Sequence, residues 1–191
     1  MQAVKQHKTF ISLLLALVFF VACPLLLPVY STKILTEILI MGLLAMSFNL
    51  LFGYTGLLSF GQAGFFGVGA YATALVLANG SSSLMVGLAA ALVAGALAAA
   101  VIGFLCVRRD EIYFAMITLG FGMMLYTVAH NWFDLTGGSD GLPVMSIPPL
   151  AVLGRQYSLF DPVAMYFFVF SVTAVCIFFL WRVVRSPFGL M

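Results

Sequence analysis

Apolar runs of membrane length set the terms for this chain. They fall at residues 10–29, 34–52, 53–79, 84–107, 112–132 and 162–181, parted by polar or proline-bearing links except at 52–53, where one run follows directly on the other. A spanning helix needs ~20 mostly apolar residues, and lipid admits only structures that satisfy their own backbone groups. Long runs without strict alternation predict helices rather than strands. Composition closes the soluble alternative, since 64% of the 191 residues are apolar and only 7% are charged. The expected fold is an all-α integral membrane protein with about six transmembrane helices, forming one domain over residues 1–191. The net charge is +2 and the basic residues are scattered, so no nucleic-acid surface is expected. Cys23, Cys106 and Cys176 lie in or at the ends of apolar runs, without the spacing of a disulfide framework or a metal site.

The third run, GYTGLLSFGQAGFFGVGAYATALVLAN at 53–79, is unusual within this set. It carries Gly53, Gly56, Gly61, Gly64, Gly67 and Gly69, and glycine weakens a helix by roughly 1 kcal/mol relative to alanine. Thr55, Ser59 and Gln62 lie among them. One reading is close helix packing through small residues. The other is a broken helix lining a transport path, because irregular backbone in lipid persists only beside protein or water. The fourth run repeats Gly87, Ala91, Gly95, Ala99 and Gly103 at steps of four, a stripe read as helix packing.

The remaining segments follow simpler rules. Lys5, His7 and Lys8 precede the first run as in a signal peptide, and Val21, Ala22 and Cys23 sit near a possible cleavage point. Continuation through Leu25, Leu26 and Leu27 favours a retained helix, kinked or ended by Pro24 and Pro28. Glu37 is expected in the first turn of the second span, near the interface, where a carboxylate suits the helix dipole. Asn49 can bridge to a neighbouring helix. Asn79-Gly80-Ser81 begins a loop, and His130 is expected as an interfacial hydrogen bonder. Residues 133–161 form the one long non-apolar stretch. Thr136, Gly137, Gly138, Ser139, Asp140 and Gly141 are dense turn chemistry there, and Pro143, Pro148 and Pro149 block regular helix.

With six spans and the N-terminus inside, Lys5, Lys8, Arg108, Arg109, Arg182 and Arg185 are all cytoplasmic, leaving only Lys33 and Arg155 outside. Both termini are then cytoplasmic and the 133–161 loop faces outward. No phosphate-binding Gly-x-x-x-x-Gly-Lys-Ser/Thr loop, His-Glu-x-x-His pair or Gly-x-Ser-x-Gly elbow occurs. No enzyme activity, metal or cofactor is therefore expected. Apart from Glu37, no acidic or basic residue lies deep in a span, as an ion-driven carrier would need. The pattern points to a permease driven by partners.

LTEILIMGLLAMSFNLLFGYTGLLSFGQAGFFGVGAYATALV (35–76), IYFAMITLGFG (112–122) and LTGGSDGL (135–142) occur in this order, followed by WRVVRSPFG (181–189). They resemble the successive landmarks of branched-chain amino-acid ABC transporter permeases of the LivM type, over nearly the whole chain. The resemblance implies a multi-pass subunit of a bacterial inner-membrane importer. Its implied partners are a second permease subunit, two cytoplasmic ATPase subunits and a periplasmic substrate-binding protein, within membrane lipid. Ser59, Gly61, Gln62, Gly64 and Gly67 would line the translocation path. The periplasmic loop 133–161, with Thr136, Gly137, Gly138, Asp140 and Gly141, would meet the binding protein. Relatives for urea, amides or other small solutes share these motifs. A self-contained channel or carrier is the second reading, and a membrane-embedded enzyme the third. Family members continue past SPFG into a basic coupling segment and further spans, so the resemblance implies that this chain is a partial permease domain without them.

Overall fold

The computed structural model describes residues 20–24, 27–79, 83–106, 111–144, 150–152 and 155–186. Lys5, Lys8, most of the first expected span, Arg108, Arg109 and residues 187–191 lie outside the described residues. The helices are α1 (Val29–Asn49), α2 (Gln62–Ala78), α3 (Leu84–Cys106), α4 (Glu111–Asn131), the single turn α5 (Phe133–Thr136) and α6 (Pro162–Val184). A π-helical turn, Leu50–Tyr54, continues α1. Among the described residues, four helices are long and apolar enough to cross a membrane: Val29–Tyr54, Leu84–Cys106, Glu111–Asn131 and Pro162–Val184. The chain is a multi-pass membrane protein. Helix α2 has 17 residues, about 25 Å against a ~30 Å hydrocarbon core.

Three sequence expectations need correction. The loop at 133–161 is not irregular throughout. It holds α5, a 3-10 turn at Gly138–Asp140 and a short antiparallel hairpin of β1 (Leu150–Val152) and β2 (Arg155–Tyr157), with Leu150 opposite Tyr157. The all-α expectation therefore holds for the membrane elements alone. Second, α1 starts at Val29, not at residue 34. Pro28 does not merely end what precedes it: its carbonyl accepts from the Thr32 amide at 3.2 Å and from Thr32 Oγ1 at 3.4 Å, which begins the new helix. Glu37 is consequently two turns inside α1, and exposed, rather than in its first turn. Third, residues 53 and 54 belong to the π turn, so the third run is divided between two helices.

The chain forms two compact units. One comprises Met1–Leu43 with Phe160–Phe179, the other Leu44–Leu159 with Leu180–Met191. Within the second unit, α2 packs chiefly along α3 and also against α4. Gly69 lies against Ala91, and Gly87 against Thr73, so α2 and α3 run antiparallel. Gly61 lies against Thr118, and Gly64 against Gly122 and Leu125, so α2 and α4 run parallel. The core of this unit is Ile102, Cys106 and Phe114, with Leu51, Leu57, Phe65, Ile117, Phe121 and Leu125 packed on it. Two elements meet there that the sequence separates: the π turn through Leu51, and the interhelical break through Leu57.

In lipid, apolar burial does little to drive helices together, so this cluster contributes mainly van der Waals packing. Phe114→Ala should therefore lower the SDS-unfolding midpoint in mixed micelles, by less than the ~3–5 kcal/mol typical of a water-soluble core. Phe114→Leu should retain most of the stability.

Candidate functional site

Helical hydrogen bonding stops after the π turn and resumes at Gln62. The Gly56 amide still reaches the Phe52 carbonyl at 3.2 Å, and Thr55 Oγ1 donates to the Leu51 carbonyl. At Gly56 the backbone turns into the left-handed region, with φ +71°, a conformation glycine adopts without a Cβ clash. A π turn followed by a left-handed glycine is a local way to leave a helix, and π turns recur at functional positions.

Residues 56–61 then run beside the first turns of α4. A Cβ on Gly56 would sit 3.6 Å from Glu111 Oε1, and one on Gly61 would sit 2.7 Å from the Thr118 carbonyl oxygen. Glu111 and Thr118 are seven residues apart, so the break advances about 10 Å along α4. Two hydroxyls serve its backbone. The Phe60 amide donates to Thr118 Oγ1 at 3.2 Å, and Thr118 Oγ1 donates in turn to the Ala115 carbonyl at 3.0 Å. The Gly61 amide donates to Ser59 Oγ at 3.4 Å. Ser59 and Thr118 are both buried, 3% and 2% exposed, as this role requires.

The structure brings Ser59, Gly61 and Gly64 together along α4, with Gln62 half-buried at the first position of α2. Gly61 cannot carry a side chain without moving the α4 backbone. A Cβ on Gly64 would meet Leu125 Cδ1 at 3.0 Å and Gly122 Cα at 3.3 Å. Gly67 differs, because a Cβ there would have nothing within 4 Å.

The small-residue stripe of α3 divides likewise. Gly87 and Ala91 face α2, where Thr73 Oγ1 also donates to the Gly87 carbonyl at 3.3 Å. Cβ atoms on Gly95 and Gly103 would have nothing within 4 Å, and Ala99 is exposed. Steps of four advance about 40° per step on a 3.6-residue helix, so the stripe winds away from the face where it begins.

In the segment 133–161, Thr136 is buried, and its Oγ1 is within hydrogen-bond reach of the Ala129 and Trp132 carbonyls. The Gly138 amide donates back to the same oxygen at 3.3 Å. Gly137 has φ +74° and closes so tightly on the Gly141 carbonyl that no Cβ fits. Asp140 is exposed, and Ser139 Oγ lies 3.5 Å from its Oδ1. This is a folded knot on the end of α4 that projects Asp134 and Asp140 outward. His130 is exposed and stacks on Tyr126, with ring centroids 5.8 Å apart. Among the described residues, no group of His, Cys, Asp or Glu could hold a metal ion.

Sequence reasoning passed over Thr118, which joins the break to α4. One threonine in an apolar run has no periodic signal; the one cue was its position seven residues from the Glu111 that opens the helix. Thr118→Val should remove both of its hydrogen bonds and lower stability by about 1 kcal/mol in a detergent unfolding titration. Thr118→Ser should keep most of it, and equal losses in the two variants would deny the hydroxyl this role.

Residues 30–191 match the protein-family model described as "Branched-chain amino acid transport system / permease component". Two relatives are the high-affinity branched-chain amino acid transport system permease proteins LivM of Salmonella typhimurium LT2 and of Escherichia coli K12. The first is 30% identical over 146 residues, which is 76% of this chain and 34% of the relative. The second is 29% identical over 153 residues, 80% of this chain and 35% of the relative. The chain thus spans about a third of the length of these curated relatives. No solved structure matches it.

Proposed function

The chain belongs to the branched-chain amino acid transport system permease family, and from that premise we propose that it forms part of the translocation path of a binding-protein-dependent ABC importer in the bacterial inner membrane. Its partners are a second permease subunit, two cytoplasmic ATPase subunits and a periplasmic binding protein. The solute is a branched-chain amino acid, in keeping with the names of the LivM relatives. The observation that carries this reading is the break at residues 56–61. Irregular backbone about 10 Å along a spanning helix is tolerated where protein covers one side and a polar cavity the other. Protein covers the side of Gly61 and Gly64. Gln62 and the open side of Gly67 form the remainder, uncharged and small, beside the amino end of α2, with the buried Ser59 behind them on the backbone of the break. That end carries the positive pole of the helix dipole and suits a carboxylate.

The proposed topology has six spans with both termini cytoplasmic. Counting α2 as a crossing is supported by its antiparallel course along α3 and its parallel course along α4. The basic residues supply the orientation. In a background without Cys23, Cys106 and Cys176, Ser139→Cys should react with an impermeant maleimide added from the periplasmic side. Labelling only from the cytoplasmic side would reverse the topology.

The path reading separates the two glycines that the sequence treats alike. In cells whose branched-chain uptake depends on the complete importer, Gly67→Leu should cut leucine uptake by about tenfold or more by narrowing the path. Membrane level and detergent melting should stay unchanged. Gly64→Leu should lower melting as well, because its side chain would collide with Leu125 and Gly122. Normal uptake in Gly67→Leu would remove Gly67 from the path. Competition by urea or amides but not by leucine would reassign the solute.

A further inference from the structure

Helix α6 closes on Trp181, Arg182 and, one residue past its end, Arg185, and all three side chains are exposed. Its 23 residues span about 34 Å, more than the ~30 Å hydrocarbon core, so this end reaches headgroup depth whichever way the helix points. At about 100° per residue, Arg185 falls roughly 40° round the helix from Trp181, and Arg182 roughly 100° from it. The three therefore share one side. The Arg185 guanidinium lies over the Trp181 ring, 4.4 Å from its centroid. That contact uses the flat face of the guanidinium and leaves its N–H edge for another partner. Among the described residues, neither arginine has a carboxylate partner. The negative pole of the helix end attracts these cations, but at about half an elementary charge it offsets only part of the two.

We propose that Trp181, Arg182 and Arg185 form a binding site for an anionic phospholipid. The indole holds the Arg185 guanidinium edge-on to the lipid phosphate, which accepts from two of its N–H groups in parallel. Arg182 supplies the second positive charge beside it. A zwitterionic lipid brings its own ammonium to the same phosphate, so two cations select lipids of net negative charge, by roughly fivefold per arginine. The site depends neither on the solute nor on the orientation of the chain in the membrane.

The test uses the full chain in nanodiscs with Trp132→Phe, which leaves Trp181 as the single tryptophan. The bilayer is an equimolar mixture of phosphatidylglycerol and phosphatidylcholine, with one or the other brominated in its upper acyl chains. Quenching of Trp181 then reports which lipid occupies the site. Bromine on phosphatidylglycerol should quench as if that lipid were enriched roughly fivefold or more over its share. Arg182→Gln combined with Arg185→Gln should bring the two quenching levels together without changing the melting temperature. Arg185→Lys keeps the charge and loses the planar fork, and should retain less than half of the enrichment. Equal quenching by the two lipids with both arginines present would overturn the proposal, and that result needs no arginine variant to fold. So would an enrichment that survives the double substitution, or one that Arg185→Lys leaves whole.

Discussion

Lipid offers no hydrogen bonds, and that constraint organises every irregular feature of this molecule. Wherever the backbone leaves the helical ladder, another part of the chain must serve it. Beside α4 the servants are Thr118 and Ser59, which accept from the amides of Phe60 and Gly61. At Pro28 it is Thr32, whose amide and hydroxyl both reach the proline carbonyl. The Tyr166 hydroxyl of α6 likewise donates to the Phe20 carbonyl. Each is a neutral hydroxyl-bearing or small polar side chain. A charged group could make stronger bonds, but its burial in hydrocarbon costs several kcal/mol. A hydroxyl does the same work at far lower cost.

The second organising fact is how close the backbones approach. Without a hydrophobic drive between helices, contact depends on how many atoms can touch, and small residues allow the most. The α2–α4 contact is built this way, with Gly61 and Gly64 against Thr118 and Gly122. The same approach that stabilises the pair also positions the break, since Gly61 touches the backbone at the residue whose hydroxyl serves Phe60. Packing and the candidate path are therefore not rival explanations for this glycine run. On the proposed reading they apply to different glycines on different sides of one segment.

Much of this was legible in the sequence, and the failures have physical causes. Span positions at α3, α4 and the start of α6 were readable to within a residue, because apolar length is imposed by the bilayer itself. Asp161 and Pro162 mark the α6 start by ordinary capping rules: Asp161 Oδ1 accepts from the Val163 amide at 3.2 Å. The start of α1 was misplaced because Pro28 was read as a stop, whereas its carbonyl opens the next helix. The glycine run announced a break, but which glycines touch α4 depends on the azimuth of two helices, which one sequence does not encode locally. Thr118 and Tyr166 were silent for a related reason. Each is a single polar residue in an apolar run, and its meaning lies in a partner 58 or 146 positions away.

The placement of ionisable groups ties these points to transport. In the described spans, Lys33 and Glu37 of α1 are exposed, while Glu111 in the first turn of α4 lies beside Gly56 at the break. The residues around the break are hydroxyls, an amide, glycines and, beside Gly56, the carboxylate of Glu111. A site of this kind can hold a zwitterion by dipoles and backbone groups. On the proposed reading, energy for accumulation enters through contacts made elsewhere. The break also suits that division of labour. Its geometry is held by a few neutral hydrogen bonds and van der Waals contacts, each worth about 1 kcal/mol or less in lipid. Such a site can be opened or closed by modest forces applied at the helix ends, where an ATP-hydrolysing partner would act.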